Sequence, residues 1–342
     1  MTGSTPAAAA AARRTRPLTR IGLAAATLVV CLLAAELVAR VSGLARNVGP
    51  TFTEWDAEDG VRLRRGYSCV RRTPEFTMRF TTNSAGYRGA ELPARIERSV
   101  LFLGDSFTMG YGVDDGSEFV ARLAERAGPG LTLVNAGLGG TGNGRWIHVL
   151  ERDAPALSPA VVVLQVCEND FEDNLSDGLY VLDARGELVT TPPPERGVLR
   201  RLSRIIEWVP GLAESHLVAL GRGLRSGPPP EHAAQAVDHS RPPAAELTRR
   251  LIERALEVCA ERSWPVLGLV CAGDASRREF FVEVFRARGT PLLVAPTKGE
   301  RPELYYRVDG HWNERGHAEM AELVWRAVSS PPFAGALSRS DR

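Results

Sequence analysis

Four short blocks of this 342-residue chain hold side chains that could together perform acyl transfer. The first is Leu103-Gly104-Asp105-Ser106-Phe107, directly after an apolar run. A serine on a tight strand-to-helix turn is exposed, and its own N–H points into the space where ligands gather. Gly104 permits the close turn, and Asp105 can bond nearby backbone donors. The second block is Val134-Asn135-Ala136-Gly137-Leu138-Gly139-Gly140-Thr141. A glycine there lets a backbone N–H face a developing oxyanion without side-chain interference. The third, Cys167-Glu168-Asn169-Asp170, offers the Asn169 amide as a further donor. The fourth is Asp309-Gly310-His311-Trp312-Asn313, in which an Asp two residues before a His can orient the imidazole and fix its tautomer. Each block alone also reads as ordinary structure: a helix-capping serine, a glycine-rich loop, an Asx turn, a helix N-cap. Their joint order is what those readings explain poorly.

The elements that must position these blocks follow from the apolar pattern. Val100-Leu101-Phe102-Leu103 is a short continuous apolar run, as a strand buried on both faces requires. Leu131 to Val134 and Val161 to Val166 repeat that signal, with helical stretches near Phe119 to Arg126 and Arg145 to Asp153 between them. Further strands are expected at Val266 to Val270 and Leu292 to Val294. Helices are expected near Ala244 to Arg262, Arg277 to Arg288 and Asn313 to Val328. Strands alternating with helices predict an α/β three-layer sandwich, a mainly parallel sheet flanked by helices. Each block then falls at a strand end or before the last helix. Residues 175–243 interrupt the pattern with Pro192-Pro193-Pro194, Pro228-Pro229-Pro230 and Pro242-Pro243, and a helical piece around Leu199 to Trp208 lies within. They read as an insertion or cap.

With these residues in place, the chain resembles the SGNH hydrolase family, the GDSL-type esterases and lipases, over about residues 96–330. The resemblance implies a flavodoxin-like sandwich and a serine esterase working through an acyl-enzyme, with neither metal nor cofactor. It assigns Ser106 as nucleophile, His311 as base and Asp309 as its acid partner. It makes the Ser106 and Gly140 N–H groups and the Asn169 amide the oxyanion hole. Two departures stand out. Cys167 occupies a position that is usually glycine, and the last block is Asp-x-His rather than Asp-x-x-His, although His311, Asn313 and Gly316 keep the His-x-Asn-x-x-Gly spacing. The shorter spacing is similar to the cell-envelope polysaccharide O-acetyltransferase branch and leaves Asp309 a less fixed role than His311. The segment Thr82 to Gly89 resembles membrane-anchored bacterial members and is expected to be structural, framing the rim of the site.

Rival chemistry is weaker. Gly137 to Gly142 formally matches the dinucleotide fingerprint, but it follows the second core strand and competes with a complete hydrolase set. Thr108 stands where a nucleophile elbow would need glycine. None of Cys31, Cys69, Cys167, Cys259 and Cys271 forms a C-x-x-C pair, so zinc and thioredoxin chemistry lack support. Cys167 and Cys271 are expected as small core residues, His317 as packed or solvent-facing, and Trp312 as lining the site or core.

Composition is that of a globular chain: 44% apolar, 24% charged, 33 glycines and 23 prolines. The net charge of +1 argues against a nucleic-acid partner. It also conceals a segregation. Residues 1–40 hold five arginines and one acid, so the remainder is net −3. Among the 42 basic residues only Lys298 is lysine. Between Arg20 and Arg40 a nearly uncharged stretch would span about 28 Å as a helix, close to a bilayer core. The flanking arginines place the N-terminus in the cytoplasm and the main domain in the periplasm or outside. A cleaved signal peptide is the alternative. The expected organisation is a basic lead (1–20), an anchor or uncleaved signal (21–41), a linker and extension (42–95), the hydrolase domain (96–330, with the insertion) and a polar tail (331–342). The expected function is hydrolysis of short-chain or acetyl O-acyl esters, on a small molecule or an acylated glycan of the envelope. An O-acetyltransferase on surface polysaccharide, a lipase or lysophospholipase and an inactive envelope-binding module stand as alternatives.

Overall fold

A computed structural model describes residues 6–128, 130–194, 206, 209, 211–225 and 242–338. Its centre is a five-stranded parallel sheet built from β5 (Arg98–Leu103), β6 (Leu131–Asn135), β7 (Pro159–Val166), β10 (Val266–Val270) and β11 (Leu292–Val294). Their spatial order is β11-β10-β7-β5-β6. The chain leaves β5 for β6 on one side and returns to β7 on the other, so the strand order reverses between β5 and β7. In an open α/β sheet, the crevice beyond the carboxyl ends of such a pair is where a ligand fits. These are the strands expected from the sequence, within two residues at each end.

The apolar runs bury both faces. On one face Leu101, Leu103, Val162 and Leu164 meet Leu251, Ile252 and Ala255 of α8 (Pro242–Glu261) and Phe281 and Phe285 of α9 (Ala275–Ala287). On the other, Val100, Phe102, Val161 and Val163 meet Phe119 and Leu123 of α3 (Phe119–Ala124) and Met320 and Val324 of α10 (Glu314–Val328). Each such side chain, fully buried, contributes about 1.5–3 kcal/mol of transfer free energy. The helix expected over Arg145 to Asp153 is divided: α4 (Gly144–His148) passes into a π-helical turn, Val149–Asp153, and α5 (Ala154–Leu157) completes it.

The extension before the sheet is folded. Two antiparallel hairpins, β1 (Thr53–Asp56) with β2 (Gly60–Leu63) and β3 (Ser68–Arg72) with β4 (Thr77–Thr81), place Leu63, Phe76, Met78 and Phe80 against Met109 and Leu138. Those two residues follow β5 and β6, so the hairpins sit on the carboxyl edge of the sheet. Arg88 locks them there. Its buried guanidinium donates to the carbonyls of Met109, Gly110 and Val113. The segment Thr82 to Gly89 thus frames the rim through one side chain.

Helix α1 (Pro6–Ser42) carries one stretch, Thr19–Ser42, long and apolar enough to cross a membrane. Its Glu36 accepts hydrogen bonds from the Ser215 hydroxyl and from the backbone N–H groups of His216 and Leu217, at the start of α7 (His216–Arg225). Within 175–243, α6 (Asp170–Asp177) runs into the interval, and β8 (Tyr180–Leu182) pairs with β9 (Leu188–Thr190) in a sheet separate from the central one. The helix expected around Leu199 to Trp208 lies outside the described residues, apart from Ile206. All five cysteines are free thiols, and all but Cys31 are buried.

Replacing Arg88 by methionine keeps much of the apolar stem but leaves three carbonyls without their donor. The loss expected is about 3 kcal/mol, as removal of a charged partner from buried acceptors entails. It should be read as a lowered unfolding midpoint of the detergent-solubilised chain.

Candidate active site

The turn after β5 is set by one buried side chain of β7. Gln165 Oε1 accepts from Asp105 N at 3.1 Å, Thr108 N at 3.2 Å and Thr108 Oγ1 at 2.8 Å. This is possible only because residue 104 is glycine: a Cβ there would lie 2.4 Å from that same oxygen and 2.3 Å from Thr108 Oγ1. Asp105 then caps the short helix α2 (Ser106–Met109), its Oδ1 accepting from Phe107 N at 2.9 Å. Burial raises the Asp105 carboxyl above its ordinary range. Gln165 went unremarked in the sequence, where it sits inside an apolar run. A lone amide within a strand buried on both faces is the signal that could have drawn notice.

Ser106 emerges at the start of α2 with its hydroxyl 2.7 Å from His311 Nε2. The other ring nitrogen, Nδ1, stands 2.5 Å from Asp309 Oδ1. Gly310 between them has φ +87, which turns the chain so that Asp309 folds back onto the ring two residues on. That is how an Asp-x-His spacing brings carboxylate and imidazole together. The loop is held at its far end by Asn313. Its Oδ1 accepts from Arg315 N and Gly316 N to cap α10, and its Nδ2 donates to the carbonyls of Glu303 and Tyr305. Gly316 is required because a Cβ would come within 2.3 Å of the Leu304 carbonyl oxygen. Trp312 is wholly buried in the core, and His317 is buried too, its imidazole driven well below the usual range by desolvation.

The glycine block wraps around the same turn. A Cβ on Gly137 would lie 2.3 Å from Met109 N, and one on Gly139 3.0 Å from Ser106 Cβ. Close packing against the serine turn therefore accounts for glycines that formally match a dinucleotide fingerprint. Gly140, with φ +71, lies at the cleft surface. Behind the block a buried network ties it to α6: Asn143 N donates to Asn174 Oδ1, Asn143 Nδ2 to Asp170 Oδ2, and Asn174 Nδ2 to Asn143 Oδ1. Asp170 also accepts from Cys167 N. Burial, reinforced by the Asp105 charge, holds its carboxyl well above the ordinary value.

Asn169 precedes α6 and faces the cleft. Its Nδ2 donates to Asp173 Oδ2 at 2.5 Å, and the same amide also stabilises the Asp105 carboxylate. Burial pushes Asp173 up to about 7. Cys167 and Cys271, at the ends of β7 and β10, line the floor, and burial raises both thiols well above their usual values. They are small buried residues, and the Cys167 departure leaves the Asn169 amide in the cleft.

Ser106, Gly140, Asn169, Asp309 and His311 all line one cleft of about 410 Å³. Phe52, Phe107, Met109 and Tyr111 form an apolar wall, while Glu168, Asp173 and Lys298 bring polar groups. Lys298 Nζ donates to the Arg307 carbonyl. The arrangement can transfer a proton between a serine hydroxyl and an imidazole whose other nitrogen meets a carboxylate. Among the described residues, no group of three His, Cys, Asp or Glu side chains could hold a metal ion.

The sequence model of the GDSL-like lipase/acylhydrolase family matches residues 102–319. No curated protein matches the chain. Solved structures similar to it include a lipolytic protein of the G-D-S-L family from Veillonella parvula, 14% identical over 68% of this chain and 98% of that one, with a TM-score of 0.40. A psychrotrophic esterase from Pseudoalteromonas sp. is 12% identical over 68% and 96%, also with a TM-score of 0.40. The lipase/acylhydrolase from Enterococcus faecalis is 14% identical over 68% and 95%, with a TM-score of 0.38. The family match covers well over half of the chain and contains all four blocks, and the chain belongs to the GDSL-like lipase/acylhydrolase family of serine hydrolases.

Proposed function

We propose that this enzyme is a membrane-anchored extracytoplasmic esterase that cleaves short-chain O-acyl esters, acetyl on envelope carbohydrate foremost, with Ser106 as nucleophile. The observation that carries the reading is the His311 ring, 2.7 Å from the Ser106 hydroxyl on one side and 2.5 Å from the Asp309 carboxylate on the other. His311 takes the hydroxyl proton as Ser106 Oγ attacks the ester carbonyl, and Asp309 stabilises the imidazolium that forms. The oxyanion is met by the N–H groups of Ser106 and Gly140 and by the Asn169 amide. His311 then gives its proton to the leaving alcohol. Water, deprotonated by His311, attacks the acyl-enzyme, releasing the acid and restoring Ser106.

The polar side of the cleft supports a hydroxylated substrate, and the apolar wall supports its acyl group. The arginine-flanked stretch Thr19–Ser42 supports anchoring with the N-terminus in the cytoplasm. A second reading, transfer to a sugar hydroxyl, is favoured by the Asp-x-His spacing. It differs only in which nucleophile receives the acyl group.

With a short-chain aryl acetate and the full-length chain in detergent, Ser106→Ala should abolish turnover. Equal rates for wild type and Ser106→Ala would end the serine-hydrolase assignment of this residue. Asn169→Ala should lower kcat by about 10²–10³, as loss of one oxyanion donor does. If an added glycan speeds acetate consumption and becomes acetylated, transfer is the reaction.

The raised Asp173 carboxyl gives a stability test. Its protonated form is favoured in the folded state up to about pH 7, whereas the unfolded group ionises near about pH 4. Its contribution is therefore full below about pH 4, falls as pH rises, and is gone above about pH 7. Asp173→Asn should flatten the pH dependence of the unfolding midpoint in that window. An unchanged slope would refute the assignment.

A further inference from the structure

The region matched to the family begins at residue 102, yet residues from the preceding extension reach the catalytic loop. Glu75, between β3 and β4, accepts through Oε2 from Val308 N at 2.8 Å and Asp309 N at 2.7 Å. These are the backbone donors of Asp309, whose carboxylate meets His311, and of the residue before it. Phe76, beside it, packs against Tyr306 with ring centres 4.8 Å apart, and the Tyr306 hydroxyl donates to the Gly112 carbonyl.

A second strut starts just past the end of α1. Asn47 Nδ2 donates to the Tyr111 hydroxyl at 2.7 Å, and the Tyr111 ring meets the His311 ring edge-on at 5.0 Å. Asn47 is itself fixed. Its Oδ1 accepts from Nε and Nη2 of Arg71, whose Nη1 donates to the carbonyls of Gly49 and Pro50. Arg71 is buried, so this arrangement is built into the extension and is not a surface contact.

We propose that Glu75 and Asn47 are positioning residues for the Asp309–His311 pair, so that the extension supplies part of the catalytic apparatus. The physical reason lies in the short Asp-x-His spacing. Asp309 and His311 share one exposed turn about a glycine at positive φ, and each is only partly buried. Such a turn has few packing constraints of its own. A carboxylate gripping two consecutive N–H groups fixes its backbone, and Tyr111 limits the tilt of the ring. The inference rests on the serine-esterase reading.

The groups facing His311 are Asp309 on its own loop, Ser106, Asp105 and Tyr111 on the segment after β5, and His317 from α10. Releasing Asp309 from the ring removes the negative charge bonded directly to the imidazole. The imidazolium that forms during the reaction then lacks its directly bonded carboxylate, and kcat falls.

The test uses the full-length chain in detergent with a short-chain aryl acetate. Glu75→Ala should lower kcat by about ten- to a hundredfold, the scale of a small misplacement of reacting groups. KM should stay within about twofold. Glu75→Gln, whose amide oxygen can still accept both bonds, should recover most of the loss, while Glu75→Asp, one methylene shorter, should not. Asn47→Ala should lower kcat in the same direction. Wild-type kcat in both alanine variants overturns the proposal. So does a fall in kcat with Gln no better than Ala, which marks a general folding effect. If Glu75→Ala does not fold, the contrast between Gln and Asp decides. Activity surviving in Ser106→Ala would instead strike the esterase reading, whatever the Glu75 variants do.

Discussion

One amide oxygen closes the turn on which the site is built. Gln165 Oε1, at the centre of the sheet, gathers three donors from the segment after β5 and so holds two strands and the serine turn at a single point. A buried acceptor with three donors is costly to disturb, because each donor would lose its partner in a place water does not reach. Gly104 leaves the space for that oxygen, and Asp105 turns inward to cap α2. The Ser106 side chain is left facing out at the reversal of strand order. The glycine block then fits against the turn so tightly that Gly137 can carry no side chain and a Cβ on Gly139 would crowd Ser106.

The site is assembled from both ends of the chain and from both sides of the sheet. The serine turn, the glycine block and the Asn169 segment follow three adjacent strands and are joined by buried polar contacts. The His311 loop arrives some two hundred residues later and meets them through the serine hydroxyl and the extension. The two halves are therefore stabilised differently. The side that carries Gly140 and Asn169 rests on a buried network around Asn143, Asp170 and Asn174. The His311 side rests on the Asn313 cap and on the contacts that Glu75 and Asn47 bring from the extension.

What the sequence made legible follows that division. Strands with nearly continuous apolar runs, such as β5 and β7, were readable because burial on both faces calls for such runs. That Ser106, Asp309 and His311 come together was legible because each stands in a short block of characteristic spacing at a strand end or before the last helix. Gln165 was not, since its meaning depends on a partner sixty residues away. Glu75 and Asn47 were not either: each is an ordinary polar residue in sequence, and its role exists only once the hairpins lie on the carboxyl edge. The division of the helix after Gly144 into α4, a π turn and α5 also escaped, because apolar periodicity does not record a change in backbone hydrogen-bond spacing.

The arginine-for-lysine bias has a practical side once the fold is known. The single lysine side chain of this protein, Lys298, stands at the wall of the cleft, its amine held by the Arg307 carbonyl. Side-chain amine chemistry, which decorates most proteins at many surface points, is here directed to one address beside the reacting atoms. A fluorophore or solid support coupled through that amine would report on the cleft, or obstruct it, and would leave the rest of the surface untouched.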